Sequence, residues 1–342
     1  MAETQKKLQR KRRKKKRTFR LIVFFGGVFL FIAMMIFAIL GIKNHFSSPK
    51  ELEYAPPPLS DTVISLVLLG YKDTVAEELY TLSPQKANAL THFEYSPFLM
   101  DILLYPLSDG EKTARYFSYS EENQDASKYE VILSVHCNLD YPFYSNTLPC
   151  ENPDSLLVLV NKYYYLPEDY EPSDLTLLSA ESTFPGIPDE VYARKEAILA
   201  FEELNDTMER EIEKRITVST AFRSYERQTT VHEKSVMNNG RSNSEAVSAR
   251  PGFSEHQTGL TFDVHADGRA MEYFHESDQY LWLKDNAHRF GFIIRYQEHY
   301  TYITGYEPEE WHIRYVGIEN ATFLYENDIC LEEYLLQYPK GL

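Results

Sequence analysis

Apolar and polar positions change period repeatedly along the second half of the chain, and this predicts strands mixed with helices. Helical periodicity covers 188–214 and 278–291, the second ending at Gly291. A Ser, Asn and Gly-rich stretch at 238–248 predicts a loop. The strand candidates are 129–135, 155–167, 216–224, 260–264, 292–297 and 311–317. Without a regular βαβ repeat, the pattern indicates an α+β fold, a single catalytic domain with a mostly antiparallel sheet flanked by helices.

The first 60 residues have a different pattern. Residues 1–20 hold eleven Lys or Arg against one acid and predict a basic cytoplasmic tail. Residues 21–41 then run without a charge, long enough for an uncleaved transmembrane helix. The positive-inside rule predicts a single-pass cell-membrane protein with a cytoplasmic N-terminus and an extracellular catalytic domain. Residues 42–60 end in three prolines and predict an extended stalk.

Composition and charge narrow the function classes. The 342 residues are 43% hydrophobic, which excludes a disordered chain. The net charge is -16 although the N-terminus is basic. Because the basic run adjoins the apolar helix, membrane lipid is its expected partner and nucleic acid is not. Residues 61–150 predict an accessory region of unknown role, and 151–342 predict the catalytic domain.

Two histidines have companions suited to metal chemistry. His256 and Asp263 lie in SEHQTGLTFDV, and His312 follows Glu309 in EEWHIRYVG. A catalytic zinc needs three imidazole or carboxylate ligands and a separate carboxylate as the base. Residues seven apart in a strand point to opposite faces, so His256 and Asp263 can converge only across a turn. Gly259 can form that turn because it can adopt a positive φ.

Four blocks of the chain resemble the VanY-type D-alanyl-D-alanine carboxypeptidases, zinc peptidases that trim the peptide stems of the bacterial cell wall. The blocks are LVNKYYYLPEDYEPSDL, STAFRSYERQ, SEHQTGLTFDV and EEWHIRYVG. They occur in the family's order, and the resemblance extends from about Asn161 to Tyr334.

The resemblance assigns roles to particular residues. It implies that His256, Asp263 and His312 bind zinc and that Glu309 is the general base. It implies that Arg223 points into the site, where a guanidinium can stabilise an oxyanion or bind the substrate's carboxylate. Ser254 and Gln228 are expected to support substrate and ligands by hydrogen bonding.

One position departs from the family pattern. The family usually has proline between the glutamate and the Trp-His pair, whereas this chain has Glu310 there. The second carboxylate leaves open which glutamate acts as the base, with Glu309 in the family's position.

The expected activity is zinc-dependent hydrolysis of the terminal D-alanine from peptidoglycan stem peptides, a D,D-carboxypeptidase. Two alternatives are an L,D-carboxypeptidase acting on tetrapeptide stems and a non-catalytic cell-wall-binding protein. A serine peptidase of the penicillin-binding class is disfavoured. Its S-x-x-K pattern occurs at 47–50 and 83–86, but without the companion motifs.

Overall fold

Helices build the chain between residues 61 and 136. The computed structural model describes residues 59–187, 190–266, 270–339 and 341. The helices of this region are α1 (Asp61–Leu68), α2 (Asp73–Leu82), α3 (Pro84–Leu90), α4 (Pro97–Leu103), α5 (Thr113–Glu122) and α6 (Lys128–His136). They enclose their own apolar core, which includes Leu66, Leu79 and Val131.

The strand predicted at 129–135 is wrong, because these residues lie in α6. Ser127 and Glu130 form a capping box that starts a helix. The apolar run from Val131 to Val135 is buried around the helix, so its lack of helical periodicity reflects burial on several sides.

The remaining chain alternates strands and helices. Its strands are β1 (Leu148–Pro149), β2 (Tyr164–Tyr165), β3 (Leu175–Leu177), β4 (Tyr192–Arg194), β5 (Ile216–Thr220), β6 (Thr261–Ala266), β7 (Phe292–Tyr296) and β8 (Glu309–Tyr315). Its helices are α7 (Lys195–Ile212), α8 (Tyr225–Val247), α9 (Asp278–Asn286), α10 (Thr301–Thr304), α11 (Ile318–Asn327) and α12 (Leu331–Gln337).

A four-stranded sheet of order β5-β6-β8-β7 organises this part, and all its pairings are antiparallel. Because side chains alternate along a strand, the sheet has two different faces. One face packs Phe262 and Phe292 against Phe201 of α7. The next positions along β6 and β8 carry Asp263 and His312. The sheet therefore confirms the predicted α+β class and separates an apolar face from a polar one.

Three other sequence predictions need correction. The segment 155–167 is a strand only at Tyr164–Tyr165, because the carbonyls of Leu156 and Val158 accept hydrogen bonds from the Arg314 guanidinium rather than from a strand. The helix expected at 188–214 corresponds to α7. It starts only at Lys195, because the residues before it form β4, which pairs with β3.

The predicted loop at 238–248 is largely part of α8. A kink at Gly240, where φ is 76°, joins two helical segments. The polar residues that suggested a loop lie on an exposed helix, and Ser244 is buried and donates to the Gly240 carbonyl.

The predicted basic tail, membrane helix and all but the end of the stalk lie outside the described residues. Within the described ranges, no helix combines the length and apolar character needed to cross a bilayer. Cys137, Cys150 and Cys330 are all free thiols. The predicted boundary at residue 150 stays a prediction.

Candidate active site

A short turn brings His256 and Asp263 together. Ser254 caps a 3-10 helix at Glu255–Thr258, where its hydroxyl accepts the backbone N–H of His256. Gly259 follows with φ of 66°, the left-handed conformation that glycine adopts at little cost. The chain then enters β6, and His256 Nε2 lies 3.1 Å from Asp263 Oδ2. The predicted turn is confirmed, and Ser254 acts on the turn itself.

His312 reaches the same point from a neighbouring strand. Asp263 and His312 are direct partners in the β6-β8 register. His312 Nδ1 lies 3.2 Å from Asp263 Oδ1, and one ligand atom from each of His256, Asp263 and His312 falls within 4.8 Å of the others. The three predicted ligands therefore converge, and all three are buried.

The ring of His256 has a defined orientation. Its Nδ1 donates to the carbonyl of Ala221, 2.7 Å away, at the end of β5. This leaves Nε2 as the nitrogen with a free lone pair facing Asp263. A hydrogen bond from the far nitrogen is the usual way a ligating histidine is fixed.

Glu309 joins the site because of an irregularity in β8. Residues three apart in a regular strand would point to opposite faces. However, the β7-β8 register shifts between the Ile294–Ile313 pair and the Tyr296–Glu309 pair. Glu309 Oε2 consequently lies 3.3 Å from His312 Nδ1. Burial raises the pKa of Glu309 above its ordinary value, although His312 opposes this.

Arg223 is held beside the Asp263 carboxylate, near the oxygen that also faces His256. Its Nη1 donates to Gln228 Oε1 at 2.8 Å, and Gln228 in turn donates to the Ala249 carbonyl. Arg223 Nη2 lies 3.6 Å from Asp263 Oδ2. Gln228 therefore orients the guanidinium, which lies beside the candidate ligand Asp263.

The electrostatics of the site suit a cation. Asp263, Glu309 and Glu255 face His312 at 3.2, 3.3 and 3.6 Å. Burial lowers the pKa of His312, but these carboxylates outweigh it and hold the pKa well above its usual range. Burial raises the pKa of Asp263, but His256 and His312 bring it below its ordinary value. Asp263 Oδ1 is buried without a well-aligned hydrogen bond within the described residues. This donor set and charge fit a divalent metal.

Sequence reasoning missed two groups around His312. Tyr296 packs its ring against that of His312, with centroids 4.7 Å apart. Glu255 faces the opposite edge of the imidazole and pairs with Arg295 and Arg314. The signal was present as a single arginine within each of the strand candidates FIIRYQ and WHIRYVG.

Two imidazoles and a carboxylate around one point, beside a half-buried glutamate and a guanidinium, are the parts of a metal-dependent hydrolase. Comparison with known proteins agrees. The family model for VanY, D-alanyl-D-alanine carboxypeptidase, matches residues 190–318. The provisionally named carboxypeptidase YodJ of Bacillus subtilis (strain 168) is 40% identical over 193 residues, covering 56% of this chain and 70% of that protein.

Solved structures include similar proteins. The LdcB LD-carboxypeptidase is 37% identical with a TM-score of 0.52, covering 58% of this chain and 92% of that chain. A VanY D,D-pentapeptidase from a vancomycin resistance cassette, solved with Zn(II), is 34% identical with a TM-score of 0.45 and covers 52% and 98%. The chain belongs to the VanY-type family of D-alanyl-D-alanine carboxypeptidases, which are zinc-dependent hydrolytic peptidases.

Proposed function

We propose that this protein is a zinc-dependent D,D-carboxypeptidase that removes the terminal D-alanine from peptidoglycan stem peptides. The observation that carries the proposal is the convergence of His256, Asp263 and His312 beside Glu309. The family's activity supplies the substrate class.

The residues divide the chemistry between them. His256 Nε2, the Asp263 carboxylate and His312 Nδ1 would hold the zinc. When bound, zinc supplies Lewis-acid activation of water and of the scissile carbonyl. Glu309 takes the proton from the attacking water and transfers it to the leaving amine. Arg223 either stabilises the negative charge that develops on the carbonyl oxygen or binds the substrate's terminal carboxylate.

The test uses the purified full-length chain and defined tri-, tetra- and pentapeptide stems, with D-alanine release followed by mass spectrometry. Release from the pentapeptide, abolished by a chelator and by His256→Ala, is the expected result. Absence of release from every stem in the presence of zinc would refute the proposal and favour a non-catalytic wall-binding role.

The same experiment distinguishes the proposed D,D-carboxypeptidase from an L,D-carboxypeptidase. The similarity to LdcB supports the latter as the second candidate. Such an enzyme releases D-alanine from the tetrapeptide and spares the pentapeptide. The matched tetra- and pentapeptide rates therefore decide between the two specificities.

We also propose that residues 21–41 anchor the protein in the membrane, with the catalytic domain outside the cell, where peptidoglycan lies. The support is the charge-free apolar run after a basic segment. Protease added to intact protoplasts should then digest the catalytic domain. Protection until the protoplasts are lysed would contradict this location.

A further inference from the structure

Four charged side chains form a closed cluster on the polar side of the sheet. The buried charge cluster consists of Glu255, Arg295, Arg314 and Glu332, whose side chains are 0–2% exposed. Arg295 donates to both oxygens of Glu332 at 3.0 and 2.7 Å, and its Nε donates to Glu255 Oε1 at 2.9 Å. Arg314 Nη1 lies 3.0 Å from the same Glu255 oxygen. The two anions and two cations thus balance in net charge.

Burying this cluster is costly, and its stabilising value is small. Moving each ion out of water carries a large desolvation cost. Apolar side chains of similar size in the same place often stabilise a protein equally well. The cluster, however, lies directly behind a candidate metal ligand. Glu255 Oε2 is 3.6 Å from His312 Nε2, and both atoms are buried with no hydrogen-bond partner at standard distance within the described residues.

We propose that Glu255 is a positioning residue for His312. Its Oε2 faces Nε2 of the imidazole and holds the proton of the neutral, metal-binding ring on Nε2, which leaves the Nδ1 lone pair directed at Asp263 and the metal. Arg295 and Arg314 hold Oε1 of Glu255, so that its second oxygen faces the ring. The inference rests on the proposed function, because it takes His312 to be a metal ligand. A carboxylate behind a ligating histidine fixes the tautomer and raises ligand basicity.

The cluster also connects the site to the helices at residues 61–136. Glu332 lies on α12, and its neighbour Glu333 accepts a hydrogen bond from Tyr129 of α6 at 2.8 Å. Leu336 of the same helix packs against the apolar core of those helices. The helical region therefore holds α12, and α12 supplies the carboxylate that fixes Arg295.

The experiment measures zinc affinity of the full-length chain by competition with a chromophoric chelator. It also measures the His312 tautomer by nitrogen-15 NMR of the zinc-free protein, over a pH series that reaches the neutral imidazole. Glu255→Gln removes the charge at nearly constant size and should weaken zinc binding by about 10- to 100-fold. The neutral wild-type ring should carry its proton on Nε2, and the neutral ring of the variant should lose that preference.

Glu332→Gln provides a second variant, because it weakens the support of Arg295 without touching His312. It should also lower zinc affinity, and it carries the test if Glu255→Gln does not fold. Glu333→Gln, on the same helix and equally buried, is the matched control. Its amide oxygen can still accept the Tyr129 hydrogen bond that holds α12, so zinc affinity should stay unchanged.

The inference would be overturned if a folded Glu255→Gln protein kept the wild-type zinc affinity and His312 tautomer. If only Glu332→Gln folds, the same result in that variant would overturn it. Equal losses in Glu332→Gln and Glu333→Gln would also overturn it, by assigning the effect to helix packing. Failure of the wild-type chain to bind zinc would instead refute the proposed function.

Discussion

Replacing Glu309 with glutamine exchanges one carboxylate oxygen for an amide nitrogen and removes the group proposed to accept the proton. Its Oε2 lies 3.3 Å from His312 Nδ1, so the carboxylate borders the candidate metal position. A positioned general base contributes about 10²- to 10⁴-fold to rate. That corresponds to about 3 to 5 kcal/mol of activation free energy. We therefore expect kcat to fall by at least about 100-fold in Glu309→Gln.

Glu310→Gln is the matched control, since it makes the same chemical change one residue further along β8. The assay is D-alanine release at saturating zinc, with metal content measured in each variant. Glu309→Gln should retain metal because Glu309 is not among the three ligands, and Glu310→Gln should remain active.

If Glu310→Gln is inactive and Glu309→Gln is active, the base is Glu310 and the assignment is wrong. If Glu309→Gln loses its metal, the residue acts as a ligand, and the separation between ligands and base fails.

Three further predictions concern other parts of the chain. Gly259→Ala should lower the free energy of unfolding by about 2 kcal/mol in urea denaturation, because φ is positive there and the new Cβ would lie 3.0 Å from a neighbouring side chain. The control is Gly186→Ala, also at positive φ but with open space around the new Cβ, and it should lower the free energy of unfolding by about half as much. Arg223→Lys should lower kcat/KM by about 100-fold with zinc content unchanged, since it loses the hydrogen bond to Gln228; equal activity would exclude a role in the reaction. Burial lowers the pKa of His136 to about 4, so between about pH 6.5 and pH 4 the unfolded chain binds a proton at this residue that the folded chain does not. The free energy of unfolding should therefore fall by roughly 2 kcal/mol over that range. The same pH dependence in His136→Asn would contradict this.

The local sequence was sufficient for the elements whose signals are short-range. Gly259 is where the chain must reverse, and the residues after it alternate as a strand requires. The 3-10 helix and the strand that bring His256 to Asp263 lie directly on either side of that turn. Gly291 likewise ends the helical stretch that begins at α9, because it adopts a positive φ of 82°.

Local pattern was insufficient where burial on all sides removes the periodicity. The apolar residues of α6 suggested a strand because they are buried on several sides of the helix. The segment at 155–167 also reads as apolar, but its carbonyls are satisfied by Arg314, a residue far along the chain.

By itself, the sequence determined the chemical identity of the site: two histidines, an aspartate, a glutamate and an arginine in recognisable blocks. Only the tertiary structure decided how Glu309 and Glu255 reach His312. The first depends on an irregular β7-β8 register, and the second on a charge cluster assembled from separate elements. Both arise from contacts between residues distant in sequence, and no periodicity along a single segment encodes which strands will pair or what a buried carboxylate will face.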